Sequence, residues 1–327
     1  MHIPDGFLDA KTAAAAAALA AAGLGLALRD VRRSVPANRV PLIGLAGAFI
    51  FAAQMLNFPV AGGTSGHLIG AVLAAVLLGP GAAVLVMSAV LILQCFLFAD
   101  GGLTALGANV FNMAIVAPIV GYAAYAAVRR LAGDSLRSRL LAAGFAAWCS
   151  TVAASISCAA ELAMAGVVAW NVSFPAMAGV HMLIGLGEGV ITTLVVAAVA
   201  AVRPELLAGR NGNAAPPGYR QFAVYGLLVA VGLALFVSPF ATSWPDGLER
   251  VAARLGFEHR ASPAGLASPL PDYAVPGVSS AVASTMVAGI AGTLAAFVLA
   301  LVLARVLTPS RGPRSADRRR SGSSSAP

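Results

Sequence analysis

The first two residues carry an unusual set of metal-binding groups. Met1 supplies an α-amine, and His2 supplies a main-chain amide nitrogen and an imidazole. If the amide loses its proton, the three nitrogens can close fused five- and six-membered chelate rings around one metal ion and leave one corner of a plane empty. Nitrogen-rich planar coordination is what Ni(II) and Cu(II) prefer. The alternative is a frayed terminus with an incidental histidine, but Pro4 and the Asp5-Gly6 turn predict an ordered segment.

A charge-free stretch, residues 57–67, is the candidate source of the fourth donor. It is rich in glycine and hydroxyl side chains and ends in His67. Irregular backbone does not survive in contact with lipid, so this stretch is expected to line a protein-enclosed cavity or its mouth. A histidine hydrogen-bonded within a loop is the alternative, but the empty corner beside His2 favours His67 as a ligand. Thr64 and Ser65 are candidates to support that ligand.

Five further polar side chains lie inside or beside apolar segments: Gln54, Asn109, Asn112, His181 and Glu188. Asn109 and Asn112 are three residues apart and share one helix face, and His181 and Glu188 are seven apart, two turns along one face. Ionisable groups inside a membrane span are costly, and they are either functional or paired with one another. All five are candidates to support the metal ligands, with structural hydrogen bonds between helices as the open alternative.

The composition of the chain indicates the environment in which these residues lie. Of the 327 residues, 59% are hydrophobic and only 10% are charged, and the mean hydropathy is +0.86, far from the values of a soluble globular protein. A membrane-spanning helix needs about 20 residues, and apolar runs recur along almost the whole chain. The sequence therefore predicts an all-α polytopic membrane protein with about nine transmembrane helices.

The net charge of +8 could suggest nucleic acid, but its distribution argues against such a partner. The arginines are concentrated at 29–39, 129–139, 203–220 and 311–320, each time between or after apolar runs. Basic loops of this kind mark the cytoplasmic side of a membrane protein. We therefore expect the lipid bilayer to be the partner, with the N-terminus outside and the C-terminus in the cytoplasm.

Breaks in the apolar pattern predict the domain organisation. Residues 1–203 form a seven-helix metal-binding domain, and a polar stretch rich in proline and asparagine, 204–221, is a cytoplasmic linker. Residues 222–307 form a two-span accessory domain whose spans bracket one long outer loop. The tail, 308–327, is rich in serine, proline and arginine and is expected to be disordered and cytoplasmic.

Four motifs make residues 1 to about 203 resemble the substrate-capture (S) component, or M component, of an energy-coupling-factor nickel/cobalt transporter. The motifs are MHIPDGFL at the terminus, NFPVAGGTSGHLIG at 57–70, FADGGLTALGANVFNM at 98–113 and GVHMLIGLGEGVIT at 179–192. Residues 222–307, with WPDGLE, resemble the small N component that carries a PDGLE signature, so the chain resembles an M–N fusion.

This resemblance implies both a site and a set of partners. The family's metal ligands are the Met1 amine, the His2 amide and imidazole nitrogens, and His67, all of which are present. The implied partners are a transmembrane coupling (T) subunit and a pair of cytoplasmic ATPases, in a bacterial cell membrane. The chain itself carries no GxxxxGK[ST] loop for ATP. The implied cargo is Ni(II) or Co(II), without a resident cofactor.

Other function classes are weaker on the residues. An intramembrane hydrolase using His181 and Glu188 would lack an HExxH motif and a nucleophile–base signature. A capture component for an organic vitamin would be expected to have an aromatic and apolar pocket, whereas aromatic residues are only 7% of the chain. A passive metal channel remains an alternative. Planar coordination favours Ni(II) over Co(II) and disfavours tetrahedral Zn(II), but the family includes importers of both nickel and cobalt.

Overall fold

The computed structural model describes residues 1–207, 219–263, 265 and 267–308. Most of the predicted linker and nearly all of the predicted basic tail lie outside these residues. The described chain is built almost entirely of helices, with one short two-stranded hairpin.

Most helices follow the predicted apolar runs, and one, α10, lies in the predicted outer loop. They are α1 (Ala10–Ser34), α2 (Val40–Gln54), α3 (Ala71–Leu78), α4 (Pro80–Phe98), α5 (Leu106–Asn109), α6 (Ala117–Ala132), α7 (Leu136–Met164), α8 (Trp170–Val202), α9 (Tyr219–Phe236), α10 (Gly247–Leu255) and α11 (Ala281–Leu307). A π-helical segment, Val110–Val116, joins α5 to α6. Short 3₁₀ turns lie at Ala37–Arg39, Pro204–Leu206, Ser238–Phe240, Glu258–Arg260 and Pro271–Tyr273. The hairpin pairs β1 (Phe58–Val60) with β2 (Thr64–Gly66).

The helix lengths confirm an all-α polytopic membrane fold. Seven helical segments among the described residues are long and apolar enough to cross a bilayer, the segment from Leu106 to Ala132 counting as one. The other two helices of the predicted nine are shorter than the roughly 20 residues that span a bilayer: α2 has 15 residues and α3 has eight. A turn at Gly79-Pro80 separates α3 from α4. Gly79 has a φ of 93°, which favours glycine, and Pro80 occupies the first position of α4.

Small residues set the distances between the helices. A Cβ on Gly107 would lie 2.5 Å from Ala17 of α1, and one on Gly189 of α8 would lie 2.8 Å from the carbonyl oxygen of Gly144 in α7. Close backbone approach of this kind is a common way to pack helices in lipid, where no hydrophobic force brings them together. The accessory helices α9 and α11 both pack against α2, which attaches the accessory domain to the rest of the chain.

Four connecting segments meet on the side of the helix bundle where the chain begins. The segment before α1, the hairpin, the loop after α4 and the connection between α9 and α11 are tied to one another by hydrogen bonds. We refer to the last of these, residues 237–280, as the accessory loop. This convergence places the chain's first residue against residues more than 200 positions away.

Candidate metal centre

The N-terminal segment is buried and held by hydrogen bonds. Ile3 is completely buried, and its main chain pairs with one side chain: Ile3 N–H donates to Asn109 Oδ1 at 2.8 Å, and Asn109 Nδ2 donates to the Ile3 carbonyl at 3.1 Å. The Gly102 N–H donates to the same carbonyl at 2.8 Å. These bonds fix the residue directly after His2 and so limit where Met1 and His2 can lie.

Asp5 provides a second attachment. Its carboxylate accepts hydrogen bonds from the N–H and the hydroxyl of Thr104, at 2.7 and 2.6 Å. Its carbonyl accepts the N–H of Ser262 in the accessory loop at 2.9 Å. Burial would raise the pKa of Asp5, but the hydrogen bonds from Thr104 outweigh it and lower that pKa. The Asp-Gly pair predicted as a turn therefore also connects three separate parts of the chain.

The α-amine of Met1 lies beside His67. The amine nitrogen is 3.5 Å from His67 Nε2, and the ring centroids of His2 and His67 are 5.6 Å apart. His67 Nδ1 lies 3.2 Å from the Leu68 carbonyl, a bond in which Nδ1–H donates, so that the lone pair of Nε2 faces the amine. The structure therefore brings together the three residues that the sequence singled out, Met1, His2 and His67.

Asp246, for which the sequence predicted no role, is also at the site. Its carboxylate forms an ion pair with the Met1 amine. Burial would lower the pKa of the amine, but the carboxylate outweighs this effect and raises it; conversely, the ammonium holds the pKa of Asp246 below its usual range in spite of burial. Burial and the neighbouring ammonium lower the pKa of His67 to about 3, so this imidazole is neutral and able to act as a ligand near pH 7.

The two hydroxyl residues before His67 bind the accessory loop. Ser65 Oγ donates to the Trp244 carbonyl at 2.7 Å, and Ser65 N–H donates to the Pro245 carbonyl at 2.8 Å. Thr64 Oγ1 lies 3.2 Å from the same Pro245 carbonyl. Thr64 and Ser65 thus attach the hairpin that leads to His67 to the residues that precede Asp246.

Glu188 and Gln54 fix the chain that follows His67. Both carboxylate oxygens of Glu188 accept main-chain hydrogen bonds, from Ile69 N–H at 2.6 Å and Gly70 N–H at 2.9 Å. Gln54 Nε2 donates to the Ile69 carbonyl at 2.9 Å, and Gln54 in turn accepts from Gln94 at 2.7 Å. Two of the candidate supporting residues therefore hold the backbone two and three positions beyond the ligand.

His181 and Asn112 occupy different surroundings. His181 donates from Nδ1 to the Met177 carbonyl at 2.8 Å and lines a small cavity of about 10 Å³ with Met1, His67 and Asp246. Asn112 lies in the π-helical segment and donates to Glu161 of α7 at 2.6 Å. His181 is thus at the site itself, whereas Asn112 fastens the helix that carries Asn109.

The donor set is suited to a planar metal complex. Nitrogens on adjacent corners of a square with metal–nitrogen bonds of about 2 Å lie about 2.9 Å apart, so the 3.5 Å between Met1 N and His67 Nε2 needs only a small contraction. His2 Nδ1, the ring atom that closes a six-membered chelate, is buried and makes no hydrogen bond within the described residues. Asp100 Oδ1 lies 3.5 Å from it. A buried nitrogen without a hydrogen-bond partner is available to a metal ion.

Side chains alone do not make up this site. In the part of the chain that the structure describes, no three His, Cys, Asp or Glu side chains form a group that could hold a metal ion. The candidate donors are two imidazoles and two main-chain nitrogens, with the Asp246 carboxylate beside them. The WPDGLE motif was the only signal in the sequence for Asp246, and it does not indicate that this residue contacts Met1.

Comparisons with known proteins show which family the chain belongs to. Residues 2–206 match the CbiM family, described as the cobalt uptake substrate-specific transmembrane region, and residues 220–309 match the PDGLE domain. A relative in Archaeoglobus fulgidus, whose name assigns it as a fused nickel transport protein NikMN, is 41% identical over 93% of this chain and 98% of its own. The fused nickel transport protein NikMN of Rhodobacter capsulatus is 36% identical over 84% of this chain and 88% of its own.

One solved structure supports the same relationship. The crystal structure of a truncated transition metal transporter superposes with a TM-score of 0.56 at 36% identity, covering 62% of this chain and 99% of its own. The match to the CbiM family spans more than half of the chain, and the PDGLE match begins where α9 begins. The chain therefore belongs to the CbiM family of cobalt uptake substrate-specific transmembrane proteins and carries a fused PDGLE domain.

Proposed function

We propose that this chain is the substrate-capture subunit of an energy-coupling-factor importer for Ni(II) or Co(II). The observation that carries the proposal is the position of the Met1 amine, 3.5 Å from His67 Nε2 although the residues are 66 positions apart. The relatives named as nickel transport proteins and the match to the cobalt uptake family support this cargo. The ligands are the amine of Met1, the amide and Nδ1 nitrogens of His2, and Nε2 of His67.

The remaining polar residues support these ligands in distinct ways. Asn109 holds Ile3, and Asn112 fastens the same helix to Glu161. The chain after His67 is held by Glu188 and Gln54, the chain before it by Thr64 and Ser65, and His181 closes one wall of the cavity. Such outer partners typically change metal affinity by 10–100-fold.

The proposal extends to the partners and the orientation. ATP hydrolysis is supplied by a pair of separate cytoplasmic ATPases and transmitted by a transmembrane coupling subunit. The chain lies in the bacterial cell membrane with the N-terminal site and the accessory loop outside and the C-terminus in the cytoplasm. Its domains are 1–203 and 222–307, joined by the linker 204–221, and the two family matches support this division.

Nickel binding to ligand variants tests the chelate. His67→Ala removes one of four nitrogen ligands, and we expect it to lose most nickel binding while thermal stability changes little. His259 lies exposed in the accessory loop, so His259→Ala is a matched control with unchanged binding. Full nickel occupancy in purified His67→Ala would remove His67 from the site.

A change at the terminus tests the other half of the chelate. Acetylation of the Met1 α-amine converts that nitrogen into an ordinary amide and removes it from the chelate. It should abolish the planar nickel spectrum, whereas the unacetylated protein taken through the same steps should keep it. A full complement of nickel in the acetylated protein would refute the chelate. Nickel uptake into vesicles containing only this chain, without ATPases, would instead favour the passive channel.

A further inference from the structure

The carboxylate of Asp246 has two separate contacts, one for each oxygen. Oδ1 accepts the Glu249 N–H at 2.9 Å and caps the N-terminus of α10, and the Glu249 side chain accepts the Asp246 N–H at 2.8 Å in return. Oδ2 contacts the Met1 amine. An N-cap needs only one acceptor, so the contact with Met1 is additional to the capping of the helix.

The position of Asp246 is fixed on both sides along the chain. The residue before it, Pro245, is tied through its carbonyl to Ser65 at 2.8 Å. The residue after it, Gly247, lies against the site so closely that a Cβ would be 2.7 Å from His181 Nε2. Asp246 itself is only 17% exposed. Its ion pair is therefore unlike a mobile surface pair, whose contribution is usually small.

The charge of Asp246 suits the site both empty and loaded. Its carboxylate lies directly against the Met1 amine. A divalent ion bound through the amine, the deprotonated His2 amide and the two imidazoles would also place a net positive charge there. Asp100, whose Oδ1 lies 3.5 Å from His2 Nδ1, faces the same position from the other side of the chelate. A buried charge without a partner would be costly in either state.

We propose that Asp246 is a positioning residue of the metal site, which holds the Met1 amine beside His67 and supplies the counter-charge of the metal complex. This inference rests on the proposed function, because it assumes that the amine is a ligand. It assigns to the PDGLE motif a direct contact with the chelating terminus, in addition to its role in capping a helix.

The reactivity of the amine tests the contact without any metal. Lys11 is the single lysine in the sequence and is exposed, so the chain contains just two primary amines, and Lys11 serves as an internal reference. In Asp246→Asn the amide oxygen can still cap α10, but the carboxylate is lost. Acylation of the α-amine relative to Lys11, measured by mass spectrometry of the metal-free protein, should become at least tenfold faster. In the control, Glu258→Gln, which removes one negative charge from an exposed position of the same loop, the ratio should stay within about twofold.

Nickel titration of the same variants tests the consequence. Asp246→Asn should bind nickel at least tenfold more weakly than the parent protein, and the remaining complex should keep the planar spectrum because all four nitrogens are present. Glu258→Gln should bind as the parent does. If Asp246→Asn does not fold, Asp246→Ser retains a capping oxygen and is measured instead.

The results separate this inference from the proposed function. An unchanged acylation ratio in Asp246→Asn would overturn the positioning role, and so would nickel binding equal to or tighter than that of the parent. If the parent protein binds nickel and Asp246→Asn binds it equally well, the proposed function stands and this inference fails. If the parent itself binds no nickel or cobalt, the proposed function fails.

Discussion

The contact between Glu188 and the chain after His67 gives a quantitative prediction. Glu188 accepts hydrogen bonds from the N–H groups of Ile69 and Gly70, at 2.6 and 2.9 Å, and its side chain is 1% exposed. Glu188→Gln keeps one acceptor oxygen but turns an NH₂ group toward the second N–H. Leaving one buried N–H unpaired costs about 1–3 kcal/mol. Glu188→Ala removes both acceptors, so we expect a cost of about 2–6 kcal/mol.

Part of this cost should appear in metal affinity. If the backbone after His67 loses its order when Glu188 is changed, binding must restore that order. A restoration cost of about 1–3 kcal/mol weakens affinity by about 5- to 150-fold, since 1.4 kcal/mol corresponds to a factor of ten. Glu188→Gln should therefore lower both the thermal stability of the metal-free protein and its nickel affinity, measured by titration of the folded fraction.

A second buried carboxylate provides the control. Glu161 accepts a hydrogen bond from Asn112 at 2.6 Å and makes no hydrogen bond to Met1, His2 or His67 within the described residues. Glu161→Gln keeps an oxygen that can accept the Asn112 hydrogen bond, so it is expected to leave nickel affinity per folded molecule unchanged. If Glu188→Gln lowers stability but binds nickel as the parent does, Glu188 only holds helices and loops together, and the reasoning that links it to His67 is refuted.

Three further predictions concern pH, the accessory loop and topology. Because the pKa of the Met1 amine is raised, the amine is protonated at neutral pH and must lose its proton to bind metal. Nickel affinity, measured by titration between pH 6 and 8, should therefore fall about tenfold per unit of acidification, or about 100-fold if the His2 amide also releases a proton. A flat profile would contradict an amine ligand. Gly247→Ala places a methyl group 2.7 Å from His181, so it should cost about 1–3 kcal/mol and weaken nickel binding; unchanged affinity would show that the accessory loop can shift freely. An impermeant thiol reagent should label Ser279→Cys in whole cells but not Arg137→Cys; labelling of Arg137→Cys from outside would reverse the orientation.

The sequence by itself determined the class of fold and two separate parts of the candidate site, Met1 with His2 and the stretch that ends in His67. A bilayer of fixed thickness demands long apolar helices whatever their packing, so composition alone predicts spans such as α4 and α11. The donors of Met1 and His2 are adjacent in the chain, so their chelate geometry is local. A glycine- and hydroxyl-rich stretch ending in His67 between apolar runs was equally visible without any tertiary information.

Only the tertiary structure decided which side chains meet. Asp246 contacts Met1 across 245 positions, and Glu188 binds Ile69 and Gly70 across nearly 120. Helical periodicity places a residue on a face, but it does not say which helix packs against that face. Asn109 and Asn112 share one face by spacing, yet one holds Ile3 and the other Glu161, because hydrogen-bond reach is about 3 Å and the position of each partner depends on how separate helices and loops pack together.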